Sequence, residues 1–199
     1  LLWTGRRFVD LEKGLVGEPV RREGFEGIFG GRPSSVWVTE KDVAEVVMVR
    51  DGSEGGSKGG VRRAIAVWRV GEGEAVRILP APEAACLAMC PGEGVIVEGG
   101  TDKRVRIRSR ESLEVVHTFR AHDEDVLDVA AHPTRPVVAT CAEDFTVKFW
   151  DLKERRLLGE MQGFHSAPVR LAFHPDGKGV AVVLGGSRVQ ILRPKFLAD

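Results

Sequence analysis

The chain has 199 residues, 43% hydrophobic and 29% charged, enough to bury a sizeable core without disulfide or metal staples. Lys+Arg and Asp+Glu both number 29, so the formal charge is zero, which argues against a polyanion binder built on surplus basic residues. No run approaches the roughly 20 apolar residues of a membrane-spanning helix, the first residues lack a signal-peptide layout, and with no Asn there is no N-glycosylation acceptor.

Taken in chain order, the apolar residues fall into short runs or strict alternation bounded by Gly, Pro or Asp, a pattern of short β-strands rather than helices. Residues 7–13 and 15–18 read as strand, polar turn, second strand, and Trp37 falls on an inner strand. The Gly/Ser-rich stretch 51–60 reads as a flexible insertion, because it lacks the Gly-Lys-Ser/Thr ending of a phosphate-cradling loop. Residues 64–72 and 75–79 repeat the strand–turn–strand layout, followed by strands at 95–97 and around Val105 and Ile107. The clearest unit runs through an inner strand at 126–130, a turn at His132 and Pro133, a strand at 137–140, a tight turn at Glu143 and Asp144, and a strand at 146–150. Segments 169–173, 180–184 and 189–192 repeat it.

Spacing sets the architecture. Trp68 and Trp150 lie 82 residues apart, Arg108 holds the middle place, and the 189–192 match falls 42 residues beyond Trp150. A period of about 40–45 residues is the length of one four-stranded propeller blade. The expected fold is therefore an all-β propeller with about four to five blades visible. It divides into 1–23 as the last strands of a preceding blade, 24–80 as a blade interrupted at 51–60, 81–120 as a degenerate blade, 121–163 as the best-preserved blade, and 164–199 as a final incomplete one. The blade phase at the two ends does not close a clean circle, so the expectation is part of a larger propeller or a half-propeller that closes by dimerising.

The unit from Ala121 and His122 to Trp150 and Asp151 resembles the WD40 repeat family, with its small residue before His, an Asp in the turn between its second and third strands, and a closing Trp-Asp. The resemblance implies a hydrogen-bonded structural tetrad, carried here by His122, Thr140, Asp144 and Trp150. The 84–120 unit keeps Asp102 but has Glu98 and Arg108 at the Thr and Trp places, and the last unit has Gly186 and Leu192 at the Asp and Trp places. His132 with Pro133, residues 140–144, and 173–175 are similar to the echinoderm microtubule-associated-protein-like family, which implies a cytoskeletal or ciliary partner.

Candidate chemistry reduces mostly to structure. His122, Asp123, Glu124 and Asp125 are read as a tetrad histidine beside solvated acids, and His132 and His174, each before Pro at equivalent turns, as turn residues. Cys86, Cys90 and Cys141 are too few for a disulfide framework and lack the second ligand pair of a zinc site, so they read as buried free thiols. No catalytic motif, metal or cofactor is expected. In a strand, Arg104, Arg106, Arg108 and Arg110 would project to one side and could grip an acidic peptide, or pair with acids of neighbouring blades. With Asp123 and Glu124 they form the candidate partner-binding set.

The expected function is a non-catalytic scaffold that presents loops and rims to other proteins in an assembly, with self-association, in the cytoplasm. The alternatives are a cytoskeletal or microtubule-associated protein, or a nucleic-acid-associated module using the arginine row.

Overall fold

The computed structural model describes residues 2–3, 8–10, 15–16, 35–37, 42–50, 61–69, 75–186 and 188–198. Its strands form five antiparallel sheets, each a meander of consecutive strands. The first contains β1 (Leu2–Trp3), β2 (Phe8–Asp10) and β3 (Leu15–Val16), and the second β4 (Ser35–Trp37), β5 (Asp42–Arg50), β6 (Val61–Arg69) and β7 (Ala75–Pro80). The third holds β8 (Ala84–Cys90), β9 (Val95–Gly100), β10 (Arg104–Ser109) and β11 (Val115–Arg120). The fourth holds β12 (Val126–Ala131), β13 (Val137–Ala142), β14 (Val147–Asp151) and β15 (Arg156–Met161). The last has three strands, β16 (Pro168–Phe173), β17 (Val180–Leu184) and β18 (Arg188–Leu192), followed by a 3-10 turn at Lys195–Leu197. The insertion expected at 51–60 and the side chain of Trp37 lie outside the described residues.

From the second to the last, successive sheets stack face to face through their apolar residues, as propeller blades do. Val97 and Val105 of the third sheet meet Val126, Val129 and Val138 of the fourth. On its other face, the fourth sheet sets Cys141, Val147 and Phe149 against Leu171, Val180, Val182 and Leu184 of the last. Because both faces of a middle blade are covered, β13 is buried along its whole length, and its sequence is apolar on both faces apart from Thr140 rather than alternating. One polar contact also crosses between blades: the Leu171 N–H donates to the Asp128 carboxylate at 2.8 Å.

Backbone irregularities recur with the sequence period. The inner strands β8, β12 and β16 each bulge one residue in, at Ala84/Cys86, Val126/Asp128 and Pro168/Arg170. The third strands β6, β10 and β14 each shift register before Trp68, Arg108 and Trp150. Left-handed residues repeat too, Lys103 with Phe145 after the second strand and Leu113 with Arg155 after the third. A bulge bends the strand and increases local twist, so each blade leaves its meander with the same curvature, and the register places Glu98 and Thr140 at equivalent points.

Candidate functional site

In the fourth blade the polar residues between strands form one hydrogen-bonded chain. The Trp150 Nε1–H donates to Thr140 Oγ1 at 2.9 Å. Thr140 Oγ1 lies 2.7 Å from His122 Nε2, and His122 Nδ1 lies 2.9 Å from Asp144 Oδ2. With the indole donating, the hydroxyl proton is left for Nε2, and the ring then carries its own proton on Nδ1, facing the carboxylate. Asp144 also accepts from the Asp123 N–H at 3.0 Å, the Thr146 N–H at 3.1 Å and the Thr146 hydroxyl at 2.7 Å. Burial opposes the Asp144 charge, yet these donors and the adjacent His122 ring outweigh it and hold the carboxyl below its usual range. Burial pushes the His122 pKa down in spite of Asp144, so the ring is neutral at pH 7. The sequence reading missed Thr146. Its signal was a hydroxyl two residues after the turn Asp, where it can reach back to the same carboxylate.

The third blade has the same layout in ionic form. The Arg108 Nε–H donates to Glu98 Oε2 at 2.6 Å, and its Nη1 donates to the Leu113 carbonyl at 2.8 Å. Arg106 reaches Asp102 with both terminal nitrogens, one at 3.1 Å, and approaches Glu98 Oε1 at 3.5 Å. Burial opposes the Asp102 charge, but the Arg106 guanidinium overrides it and lowers the pKa. Asp102, Arg106, Glu98 and Arg108 thus run across the blade as Asp144, His122, Thr140 and Trp150 do in the next. Gly100 makes room, since a Cβ there would sit 2.8 Å from Arg106 Nη1.

This corrects the expected arginine row. Arg104 is exposed, but Arg106 and Arg108 are spent on Glu98 and Asp102, and Arg108 is buried. Arg110 lies past the end of β10, in the following turn. The cause is the stacking: both faces of a middle blade are interior, so a side chain on its third strand needs a buried counter-charge rather than a partner in solution. The counter-charges come from the same blade, not from neighbouring ones. Asp123 and Glu124 do reach solvent at the rim, bonded to Arg120 at 3.0 Å and Lys103 at 3.2 Å.

His132 and His174 order turns. His132 Nδ1 accepts the N–H groups of Thr134 and Arg135 at 3.2 and 3.0 Å, while its buried ring packs edge-on to Phe173. Burial and the nearby Arg135 charge lower its pKa. In the equivalent turn His174 Nδ1 lies 2.8 Å from the Asp176 carboxylate, to which it can only donate. Cys86, Cys90 and Cys141 are buried and free, and burial raises all three thiol pKa values. Raised thiols are protonated and poor nucleophiles at pH 7. Among the described residues, no group of His, Cys, Asp or Glu is placed to hold a metal ion, and no helix is long and apolar enough to cross a membrane.

Against known proteins, residues 113–151 match the family "WD domain, G-beta repeat". The chain is similar to pre-mRNA-processing factor 19 of Bos taurus, 27% identical over 97 residues that make up 48% of this chain and 19% of that protein. It is 33% identical to human coronin-7 over 104 residues, 48% of this chain and 11% of that one. It is 46% identical to a probable cytosolic iron-sulfur protein assembly protein 1 of Aspergillus clavatus over 59 residues, 29% of this chain and 13% of that one. The matched region spans less than a fifth of each relative's length.

Proposed function

We propose that this chain, a WD40-repeat protein, works as a non-catalytic scaffold that holds protein partners on the rim of its blades. One observation carries the reading: the polar clusters that could resemble catalytic sites are consumed in holding blades together. His122 and Asp144 serve Thr140 and the turn at Asp123, and Glu98 serves Arg106 and Arg108. Groups so bonded give a rigid frame, and in these clusters each candidate base is already engaged. What the frame presents is the rim beside the tetrad, where Arg104, Asp123 and Glu124 are exposed. Three buried reduced thiols support an intracellular, cytoplasmic place.

The arginine-row alternative, a grip on nucleic acid, is weakened because two of its four guanidinium groups are already paired inside the blade. The test is proximity labelling in the native cell, comparing the parent chain with an Asp123→Lys, Glu124→Lys double variant of equal abundance and melting temperature. Loss of a discrete set of neighbouring proteins supports the rim reading. An unchanged set, or turnover of a small molecule by the purified chain, overturns it.

A further inference from the structure

Among the described residues, the exposed large apolar side chains lie in strands, with one exception. Phe145 is 47% exposed and stands in the turn between β13 and β14, and among the described residues it is the only aromatic ring in that exposed set. Its φ is +61°, in the left-handed region that a bulky side chain rarely adopts. The turn itself does not call for a ring. Lys103 holds the same place one blade earlier with φ +68°, and there the side chain reaches Glu124 at 3.2 Å. Phe145, by contrast, belongs to neither of the core clusters on the two faces of its blade.

The surroundings of the ring are acidic. The Asp123 N–H donates to the Asp144 carboxylate at 3.0 Å and the Glu143 N–H to the Asp125 carbonyl at 3.0 Å, so the loop 123–125 and the turn that carries Phe145 form one surface. That surface holds Asp123, Glu124, Asp125 and Glu143. Arg120 answers Asp123 at 3.0 Å and Lys103 answers Glu124. Among the described residues no cation pairs with Asp125 or Glu143, which leaves the patch negative. Such a field repels nucleic acid and anionic lipid and attracts a cationic protein segment. The acids alone would mark only a solvated rim; the ring beside them supplies an anchor.

We propose, resting on the scaffold reading above, that Phe145 anchors the partner site of the fourth blade, and that the partner is a protein segment carrying an aliphatic or aromatic side chain between lysines or arginines. The apolar side chain covers the Phe145 ring, which offers the large, rigid contact area that dominates binding energy at interfaces. The flanking cations answer Asp125 and Glu143, speed the encounter and disfavour acidic competitors. A ring kept in a backbone conformation that Gly or Asn would adopt more cheaply fits a residue retained for contact rather than for the turn.

The test is fluorescence anisotropy on the full 199-residue chain with labelled Gly/Ser peptides that carry a central Leu or Phe between paired lysines. Matched peptides replace the centre with Ala or the lysines with Glu. The lysine peptides with an apolar centre should bind, and Phe145→Asn should weaken them about tenfold. The same variant should melt at or above the parent, since Asn tolerates the left-handed turn. Glu143→Lys should weaken the same peptides with the ring untouched. No preference for the apolar-centred lysine peptides, binding that survives Phe145→Asn, or a lowered melting temperature for Phe145→Asn would each overturn the proposal, the last because the ring would then serve the turn itself. Proximity labelling separates this failure from failure of the scaffold reading. If the Asp123→Lys, Glu124→Lys variant loses its neighbouring proteins while Phe145→Asn keeps them, the rim still binds partners and the Phe145 anchor is overturned.

Discussion

Arg108 donates its Nε–H to Glu98 at 2.6 Å at the place where, one blade on, Trp150 donates its indole N–H to Thr140 at 2.9 Å. The two pairs occupy equivalent register positions on the second and third strands, so one geometric task is met by an ion pair in one blade and a neutral bond in the next. The ionic version has a cost. Desolvating two charges is repaid only when every remaining donor and acceptor is satisfied, which explains why Arg106 and the Leu113 carbonyl are drawn into the same cluster.

Glu98→Gln should therefore destabilise the chain by about 3–5 kcal/mol, because Arg108 would keep its charge in a buried site with no carboxylate. The double change Glu98→Thr, Arg108→Trp installs the neighbouring blade's pair and should recover a large part of that loss. Chemical denaturation of the parent, Glu98→Thr, Arg108→Trp and the double variant closes the cycle. A double variant no more stable than the sum of the singles would mean that the two blades are not interchangeable at this position.

Trp150→Phe keeps an aromatic ring against Phe119, whose centroid lies 4.8 Å away, but removes the N–H that Thr140 accepts. The expected loss is about 1–3 kcal/mol, the cost of leaving a buried polar group short of a partner. Thr140→Val in the same background should add less than it costs alone, since the partner bond is already gone. Equal melting temperatures for Trp150→Phe and the parent would show that the indole bond contributes nothing to the blade.

Strands and blade period were legible in the sequence because hydrophobic spacing and turn residues are local signals. Residues 137–142 announce a buried strand by their composition alone. The Arg104 to Arg110 row was legible as a row, yet its direction was not. Alternation places side chains on one face of a strand but does not say whether that face meets water or the neighbouring blade. The sequence put Glu98 and Arg108 at the tetrad places but left their pairing within one blade unread, and the part played by Arg106 depends on the space at Gly100. The return of Phe196 onto Gly159 was illegible for the same reason: nothing local in Gly159 marks it as a seat for a ring 37 residues later.

Stability should fall in two stages as pH drops. His122 and His132 both have folded pKa values below the ordinary 6.5, through burial first, so the unfolded chain takes up protons more readily. Their contribution is complete above about pH 6.5 and is lost as pH falls toward the folded values. Asp102 and Asp144 are held below 3.8 by their donors against the opposing effect of burial. Their contribution is present above that value and disappears at lower pH. Urea midpoints measured from pH 8 down to about pH 3 should show both declines. His132→Asn retains a side-chain acceptor for Thr134 and Arg135 but does not titrate, so its first decline should be shallower than the parent's. A parent whose midpoint is flat through the histidine range would contradict the buried neutral rings.

The contact between blades at His132 can be isolated with two glycines. Gly177 has φ +75°, and a Cβ built on it would lie 2.3 Å from His132 Nε2 and 2.5 Å from Cε1. Gly163 has φ +84° and nothing within 4 Å of the same position. Gly163→Ala thus incurs only the left-handed backbone penalty, about 1–2 kcal/mol. Gly177→Ala incurs that plus overpacking against a ring that cannot yield, since His132 is fixed by two backbone N–H groups and by Phe173, which adds about 1–3 kcal/mol. Replacing the ring should relieve the second cost but not the first, so Gly177→Ala should be far less damaging in a His132→Ala background. If Gly163→Ala and Gly177→Ala cost the same, the His132 ring is not pressed against the next blade, and the turn at 174–179 is held by its own bonds alone.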